Sequence, residues 1–346
     1  MQKVIFLGTD LHGKQSEMAA KLVRDLRTEF EKEKIKYKIV SIMNRKEFRK
    51  EENTVIIPRI TTINKIRKIV QAILLPIILL LLRIRYKKIF CFWTADRRYH
   101  SYLFYFLKKI GYSLIFTVIS GYDKKYDSLI YCDKIICQSE KMYSNIKKKF
   151  SNKSLYTIYP WTDTSIFKPS RKKYDLLIPS VPYKVQDFKE RRMEKIIEIL
   201  KTGKFKSKVI FRSQESYDYF KNSGVRNTEL INKILDEKEL AEIMSKAKIM
   251  PLLYSKGCPD MPLSAIEGMA SGCAIITTSE TGLSDVINKE RCGKVIKNFR
   301  NLESALKNLL RIKSMKNSLA TSNKYFDRKN NIKKYISLAK EVSQTY

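Results

Sequence analysis

Glycine, proline and histidine are scarce in this chain of 346 residues, which has 11 Gly, 9 Pro and 2 His. So few Gly and Pro argue against collagen-like repeats and long disordered tracts, and a hydrophobic content of 44% supports ordinary packed cores. The two histidines belong to no cluster with metal-ligand spacing, which argues against a structural zinc site. A chain of this length predicts two domains.

Paired cysteines and a signal peptide are absent as well. The six cysteines are Cys91, Cys132, Cys137, Cys258, Cys273 and Cys292. They form no Cys-x-x-Cys pair and several lie in apolar runs, so we interpret them as reduced core thiols of an intracellular protein. The opening MQKVIFLG is typical of a strand and lacks the longer apolar region and cleavage site of a signal peptide. We therefore expect a cytoplasmic protein.

Acidic residues are few, because 35 Asp and Glu stand against 69 Lys and Arg, a formal charge of +34. Such a field attracts polyanions, namely nucleic acid, anionic lipid or phosphorylated substrates. The charge is spread along the chain and favours none of the three, and a Lys-, Ile- and Asn-rich genome is an alternative cause. Zinc-finger spacing, RNP-type aromatic motifs and a basic zipper are all missing, so we expect no specific nucleic-acid partner.

The apolar run IVQAILLPIILLLL at 69–82 has 14 residues and contains Pro76, whereas a helix that spans a bilayer needs about 20. Cations flank this run, with Asp96 as the one acid among them. The cations are Arg59, Lys65, Arg67, Lys68, Arg83, Arg85, Lys87, Lys88, Arg97 and Arg98. This pattern predicts a segment at about 62–88 that lies in an anionic membrane surface. A buried core helix is the alternative.

Apolar, β-rich stretches alternate with stretches of helical pattern, which predicts parallel βαβ units. Strands are predicted at 4–7, 36–43, 53–58, 87–93, 113–120, 132–139, 155–160, 175–181, 207–213, 248–254, 273–278 and 293–297. Helices are predicted at about 16–34, 62–84, 99–111, 188–200, 237–247, 301–312 and 328–343.

A polar stretch at 163–174, which contains Pro169, predicts a linker between two doubly wound α/β domains. We predict a first domain at 1–168 and a second at 169–325, with a C-terminal helix at 326–346 that packs back on the first. Ligands of such sheets bind at the carboxyl ends of the strands. Two domains therefore predict a site in a cleft between them.

The carboxylate of Glu267 lies in the stretch PDMPLSAIEGMASGCAIITT at 259–278. Ser264 and Glu267 have the spacing of a capping box, and Pro262 just ahead suits the first positions of a helix. The other interpretation is that Glu267 binds a ligand at the carboxyl end of the parallel sheet.

The same stretch resembles the signature of the glycosyltransferase group 1 family (family 4), whose members have the GT-B fold. The matching positions are Pro262, Glu267, Met269, Ala270, Gly272, Ile276 and Thr278, followed by Gly282 and Asp285. Three other segments resemble family motifs: DKIICQSE at 133–140, IYPWTDTSIFKPS at 158–170 and ERRMEKIIEIL at 190–200. The resemblance implies an α/β protein of two doubly wound, Rossmann-like domains that face each other across a cleft.

The resemblance also implies a sugar transferase that uses a nucleotide-sugar donor, retains the anomeric configuration and needs no metal or other cofactor. By position, Glu267 would accept hydrogen bonds from the donor ribose, which suits an acceptor-only carboxylate. Arg191 would bind the diphosphate, with a solvated helix face as the alternative. The other implied donor-binding positions are Arg212, Pro262, Leu263, Ser264 and Gly282. The implied acceptor and phosphate loop contains Gly8, His12 and Gly13, with a plain strand–helix turn as the alternative.

The chain departs from the family pattern where the family often has a second Glu, eight residues before the first. Here that position is Pro259, and we expect Asp260 beside it to take over part of the role. Ser180 stands where the family has an Arg. His100 follows a predicted strand and could approach the sugar or acceptor, with a helix-surface position as the alternative. The predicted catalytic residues are therefore Glu267, His100 and Asp260.

Two functions follow from these residues. The first is a retaining, hexosyltransferase-type enzyme whose acceptor is a lipid-linked or cell-surface glycan precursor. It would be bound peripherally at the cytoplasmic face of the membrane. In the family's usual account the departing phosphate deprotonates the acceptor, so no side-chain nucleophile is predicted. The alternative is a catalytically eroded GT-B protein that acts as a polyanion- or membrane-binding module.

Overall fold

A computed structural model describes residues 3–9, 11, 18–42, 53–57, 64–93, 98–119, 127–255, 259–311 and 314–341. These residues form two compact units. The first unit comprises the described residues up to Ile119, those from Asp127 to Ile158, and those from Lys329 onward. The second unit comprises the described residues of Tyr159–Arg328. Each unit is built around its own parallel sheet.

The described strands of the first unit are β1 (Lys3–Thr9), β2 (Lys36–Ile42), β3 (Thr54–Ile57), β4 (Lys88–Trp93), β5 (Ser113–Val118), β6 (Lys134–Cys137) and β7 (Ser154–Thr157). They form a parallel sheet in the order β3-β2-β1-β4-β5-β6-β7. All seven strands predicted for this half are confirmed. The strand order reverses between β1 and β4, so the carboxyl ends of these two strands are where such a sheet binds ligands.

The helices between these strands are α1 (Met18–Lys32), α2 (Asn64–Leu82), α3 (Arg98–Lys109) and α4 (Glu140–Lys149). Ile89 and Cys91 of β4 share one buried core with Leu79 of α2, Leu103 of α3 and Ile146 of α4. Side chains two residues apart in a strand point to the same face. Helices α2, α3 and α4 therefore cover one face of the sheet.

The described strands of the second unit are β8 (Tyr174–Ile178), β9 (Ser207–Phe211), β10 (Thr228–Asn232), β11 (Ala247–Leu252), β12 (Ala274–Thr278) and β13 (Gly293–Ile296). They form a parallel sheet in the order β10-β9-β8-β11-β12-β13, which reverses between β8 and β11. Strand β10 was not predicted. It is an edge strand of exposed and half-buried residues, so it lacks the apolar run that marks a central parallel strand.

The described helices of the second unit are α5 (Met193–Lys201), α6 (Gln214–Asn222), α7 (Glu237–Ser245), α8 (Leu263–Ala270), α9 (Leu283–Glu290), α10 (Leu302–Arg311) and α11 (Ser314–Tyr325). The helix predicted at 188–200 is confirmed from Met193 onward, as α5, but wrong as a single continuous helix. A 3-10 helix, Val185–Arg191, ends there, and α5 begins after Arg192. Arg192 has φ 48° and ψ 39°, a left-handed conformation that a continuous right-handed helix does not contain.

The C-terminal helix α12 (Arg328–Lys340) belongs to the first unit from Lys329 onward. Its Tyr335 ring stacks on Phe92 at 6.2 Å and lies 6.1 Å from Phe90. These phenylalanines alternate along β4 with the residues that face α2 and α3. Helix α12 therefore covers the opposite face of the sheet.

A buried lysine holds the end of α12. The Lys88 ammonium donates to the carbonyls of Leu338 at 3.4 Å and Ala339 at 2.8 Å, and to that of Glu341. These carbonyls form the negative end of the helix dipole. Burial, together with the charge of Lys134, lowers the pKa of Lys88 to about 8.

Candidate functional site

Arg191 and Tyr254 meet at the carboxyl end of β11, one of the two strands at which the order of the second sheet reverses. The Arg191 guanidinium carbon lies 4.7 Å from the centre of the Tyr254 ring, and Nη1 donates to the Tyr254 hydroxyl at 3.2 Å. Because Tyr254 is only 1% exposed, the cation stacks on a fixed surface. The guanidinium fork is thereby oriented in a way that suits a phosphate or carboxylate.

Hydrogen bonds fix the short helix that carries Arg191. The Ser255 amide donates to the Glu190 carbonyl at 2.9 Å, and the Ser255 hydroxyl donates to it at 3.2 Å. The Tyr254 amide donates to Thr278 Oγ1 at 3.1 Å, and the Thr278 hydroxyl donates back to the Tyr254 carbonyl at 2.7 Å. The 3-10 helix and the ends of β11 and β12 are therefore held as one arrangement.

Glu267 lies on α8, the helix after β11, and is 7% exposed. Helix α8 begins at Leu263 with Pro262, not Ser264, at its N-cap, and Pro262 makes no side-chain capping bond. The capping box of Ser264 and Glu267 is therefore wrong. Pro262 has φ −62°, a value that proline presets for a helix start, so the helix begins before Ser264. Glu267 then lies about one turn from the helix start.

Packing fixes α8 against the sheet and at its C-terminal end. A Cβ at Gly268 would lie 2.5 Å from the sulfur of Met250, so the helix approaches β11 closely. The Lys172 ammonium donates to the carbonyls of Ser245 at 3.0 Å and Ser271 at 2.8 Å, at the ends of α7 and α8. Burial lowers the pKa of Lys172. These contacts hold the helix that presents Glu267.

The Asp260 carboxylate accepts a hydrogen bond from the backbone. It is 2% exposed, and Oδ1 accepts a hydrogen bond from the Gly282 amide at 2.8 Å. The Asp260 carbonyl accepts one from the Leu283 amide at 3.3 Å. Both amides belong to the start of α9. Two residues predicted from the sequence as parts of the site therefore contact each other, and Asp260 holds the turn between β12 and α9.

The other donor-binding candidates lie at the same edge of the sheet. Arg212 directly follows β9, and Leu263 and Ser264 form the first turn of α8. The Pro262 carbonyl accepts the Ala265 amide at 3.0 Å. Because all strands of this sheet are parallel, their carboxyl ends form one edge, and the structure brings every predicted donor-binding residue to it.

Gly8 lies near the end of β1, and strand packing explains why this residue is a glycine. It pairs with Phe92 of β4, and a Cβ at Gly8 would lie 2.5 Å from the Phe92 carbonyl oxygen. The close approach of two strands therefore requires a glycine here. His12 and Gly13, the other predicted residues of this loop, lie outside the described residues.

His100 lies in the first turn of α3, after β4, and is 8% exposed. Its ring stacks on Phe104 with 6.4 Å between the centres. The helix-surface alternative for His100 is therefore wrong. This histidine lies at the carboxyl edge of the first sheet, beside the point where the strand order reverses.

Tyr254 and Thr278 are functional candidates that the sequence analysis missed. Tyr254 is the aromatic residue directly beyond the apolar run of β11, and Thr278 is the last residue of β12. The signals in the sequence are their place at a strand end and, for Thr278, its match to the family signature. Their partners are distant in sequence, so local patterns do not reveal the contact.

Metal-binding clusters of three or more His, Cys, Asp or Glu side chains are absent from the described residues. The five described cysteines are buried and form no disulfide. Burial raises the pKa of Cys273 and of Cys292 to about 11. These two thiols therefore stay protonated near neutral pH and are poor nucleophiles.

Helix α2 has one buried and one exposed apolar face. Leu75 and Leu79 are buried against the sheet. The exposed apolar residues of α2 and the turn after it are Ile73, Ile77, Leu80, Leu81 and Ile84, each between 49% and 82% exposed. Their spacing places them along one side of the helix. Within the part of the chain that the structure describes, no helix has the length and apolar character needed to cross a membrane.

Comparison with known proteins gives a family match for part of the chain. Residues 165–312 match the family described as Glycosyl transferases group 1. The chain has no significant match among curated proteins.

Solved structures share the fold at low sequence identity. Sucrose-phosphate synthase from Thermosynechococcus elongatus has a TM-score of 0.77 at 11% identity, over 98% of each chain. WaaG, a glycosyltransferase involved in lipopolysaccharide biosynthesis, has a TM-score of 0.67 at 12% identity, over 98% of this chain and 100% of that chain. Anabaena Alr3699/HepE in complex with UDP has a TM-score of 0.70 at 9% identity, over 97% of this chain and 99% of that chain.

Two parallel sheets with interleaved helices are thus the two Rossmann-like domains of a GT-B fold. The family match covers most of the second unit, where the stacked Arg191 and the buried Glu267 lie. Residues 165–312, which include these two side chains, thus match the group 1 glycosyltransferase family, and the chain has the GT-B fold.

Proposed function

We propose that this protein is a glycosyltransferase that moves a sugar, of hexose type, from a nucleotide-sugar donor to a glycan or lipid-linked acceptor, with retention of configuration. The observation that carries the proposal is the Arg191 guanidinium stacked on buried Tyr254 at the carboxyl end of β11. A fixed cation at this edge of an α/β sheet suits the diphosphate of such a donor.

The chemistry needs stabilisation of the leaving group. Breaking the sugar–phosphate bond develops negative charge on the departing diphosphate. Arg191 is already oriented by Tyr254, so it stabilises this charge without reorganising. Arg212 and the first-turn amides of α8 add positive potential at the same edge.

Glu267 would fix the other part of the donor. A carboxylate accepts hydrogen bonds from two neighbouring hydroxyls, which matches the ribose of a nucleotide. Glu267 is almost fully buried on a helix that packing holds in place, and in such surroundings hydrogen bonds to a charged group are strong.

The scheme requires no side-chain nucleophile and no metal cofactor. The departing phosphate oxygen takes the acceptor proton on the face of the sugar that it leaves, which gives retention. Arg191 supplies positive charge that a metal would otherwise provide. His100, buried at the edge of the first sheet, is the proposed residue near the sugar or acceptor.

The fold neighbours support the choice of donor class. One of them, Alr3699/HepE, is solved in complex with UDP and in complex with UDP and glucose. We extend this to a nucleoside diphosphate sugar as the donor of the present chain.

We place the reaction at the cytoplasmic face of an anionic membrane, with the protein bound peripherally. The support is the exposed apolar side of α2 on a chain with a formal charge of +34. An apolar helix face flanked by cations favours the surface of an anionic bilayer. A specific nucleic-acid partner is not part of the proposal.

A donor screen by thermal shift tests the proposal. UDP-, GDP- and ADP-sugars, with a CMP-sugar as the monophosphate comparison, are added to the wild-type protein, to Arg191→Ala and to a matched control, Arg300→Ala. Arg300 is exposed in the second unit. One donor class should raise the melting temperature of the wild type and the control but leave Arg191→Ala unchanged. An equal shift in all three proteins would show that Arg191 does not bind the diphosphate.

The eroded GT-B alternative makes the opposite prediction. It requires that no nucleotide sugar shifts the melting temperature and that no sugar is transferred, while binding to polyanions or vesicles persists. Sugar transfer by the wild type that Arg191→Ala loses would exclude this alternative.

A further inference from the structure

Exposed apolar side chains of the first unit extend beyond α2. Helix α3 exposes Tyr102 at 75% and Tyr105 at 49%, while Leu103, Phe104 and Leu107 of the same helix are buried. Residues three apart on a helix share one side, so the two tyrosines form an outward pair. These residues lie outside the 62–88 segment that the sequence indicated.

The C-terminal ends of α2 and α3 are bonded together. Arg83, just after α2, donates from Nε to the Ile110 carbonyl at 2.8 Å and from Nη2 to the Gly111 carbonyl at 2.9 Å. The Tyr112 hydroxyl donates to the Leu79 carbonyl of α2 at 2.6 Å. The two helices are thus fixed side by side on the same face of the sheet.

A third element continues the same layer. The 3-10 helix Asp127–Tyr131 contacts α3, and the Tyr131 ring packs edge-on against Tyr105 with 5.7 Å between the centres. In this 3-10 helix Ile130 is 57% exposed. Its exposed side chain extends the apolar and aromatic residues of α2 and α3.

The charges of α2, β4, α3 and β5 have one sign, whereas the 3-10 helix begins at Asp127, which pairs with Lys149 at 3.4 Å. Residues 64–93 and 98–119 contain no Asp or Glu. Arg85, Lys87 and Lys109 are exposed, and the Lys109 ammonium lies 5.5 Å from the centre of the Tyr105 ring. Apolar and tyrosine side chains bordered by cations suit the boundary between lipid headgroups and acyl chains.

We propose that the α2–α3 surface binds an anionic phospholipid bilayer as one unit. This surface consists of Ile73, Ile77, Leu80, Leu81, Ile84, Tyr102, Tyr105 and Ile130. The proposal rests on the membrane association proposed above and adds residues of α3 and the 3-10 helix to the contact. A second copy of the chain fits less well, because a symmetric pairing of this surface brings cations against cations. Nucleic acid fits less well, because its phosphates select cations rather than aliphatic side chains.

Vesicle co-sedimentation tests the surface. The full-length protein is mixed with phosphatidylcholine vesicles that contain or lack phosphatidylglycerol. The test variant is Tyr102→Gln/Ile130→Gln. The matched control, Tyr183→Gln/Ile234→Gln, changes the same residue types at sites 49% and 77% exposed in the second unit. An α2 variant, Ile73→Gln/Leu81→Gln, reports on the helix indicated by the sequence. Thermal melts confirm that these exposed substitutions leave the fold intact.

The test variant should bind anionic vesicles about tenfold more weakly than wild type, since partial burial of two such side chains is worth roughly 1.4 kcal/mol. The control should bind like wild type, and vesicles without phosphatidylglycerol should bind all proteins weakly. Wild-type binding by the test variant, with loss in the α2 variant, would confine the contact to α2 and overturn the inference while membrane association stands.

A wild-type protein that sediments with neither vesicle would overturn membrane association itself and leave the sugar-transfer proposal untouched. Equal binding to both vesicles would overturn the requirement for anionic lipid. If the test variant loses binding to heparin and keeps binding to vesicles, the surface is a polyanion site and the inference is overturned as well.

Discussion

The Asp260 carboxylate accepts a hydrogen bond of 2.8 Å from the Gly282 amide, and the Asp260 carbonyl accepts the amide of Leu283. Protein groups therefore already accept the hydrogen bonds of the backbone amides at the start of α9. We therefore infer that Arg191 and the first turn of α8, rather than Gly282, meet the donor diphosphate. Asp260 acts as a positioning residue for the turn after β12, instead of replacing the Glu that the family often has one residue earlier.

Asp260→Asn should keep turnover close to wild type, because its amide oxygen still accepts the Gly282 N–H. Asp260→Ala should lower the free energy of unfolding by about 1–3 kcal/mol, because a buried N–H loses its partner. It should also raise the KM for the donor, because the turn beside the site moves. Urea denaturation and steady-state kinetics of both variants measure these effects.

The opposite pattern would assign Asp260 a chemical role. If Asp260→Asn folds with wild-type stability but loses most of its kcat, the charge of the carboxylate, and not its oxygen, is what the reaction uses.

Glu267→Gln should fold with wild-type stability to within about 1 kcal/mol, a normal range for a substitution that preserves shape. Its donor affinity should fall roughly 10- to 100-fold, because hydrogen bonds to a charged group are worth about 1.5–3 kcal/mol. Isothermal titration with the donor found in the thermal-shift screen provides the measurement.

Ser264→Ala is the matched control for Glu267. A capping box would make this substitution cost about 0.5–2 kcal/mol. Because the structure starts α8 at Leu263, we expect a much smaller loss. A full capping cost in urea denaturation would restore the local role for both residues.

Gly8→Ala should destabilise the first unit by about 1–3 kcal/mol, the usual cost of overpacking. Its Cβ would lie 2.5 Å from the Phe92 carbonyl oxygen, so β1 and β4 must move apart. Thermal melting measures the loss. Wild-type stability with lost acceptor binding would instead identify Gly8 as a ligand-contacting residue.

Lys88 should make stability rise with pH between about pH 8 and 9.5. Its pKa is about 8 in the folded protein against an ordinary value of 10.5, so the unfolded chain binds more protons in this window and stability increases as pH rises. Lys88→Met should remove that increment. Urea denaturation of both proteins at several pH values, below the range where tyrosines ionise, isolates the contribution. Parallel pH profiles for the two proteins would contradict it.

Most strands could be predicted because of how parallel sheets are buried. A central strand such as β12 is covered on both faces, so its sequence, AIITT, is a run of apolar and β-branched residues that differs from its surroundings. Edge strand β10 is covered far less, and TELIN gives no such signal. The left-handed Arg192 that divides the predicted helix also lacks a sequence signal, because glycine, and occasionally Asn or Asp, usually takes that conformation.

The sequence alone determined the alternation of strands and helices, the GT-B resemblance and the stretch that contains Glu267, because these depend on local patterns and on motifs in order. Only the tertiary structure decided which residues meet. Arg191 stacks on Tyr254 from 63 positions away, and Asp260 reaches Gly282 across 22 positions. Such contacts arise when parallel strands bring their carboxyl ends to one edge, and nothing in the local sequence encodes which side chains then face each other.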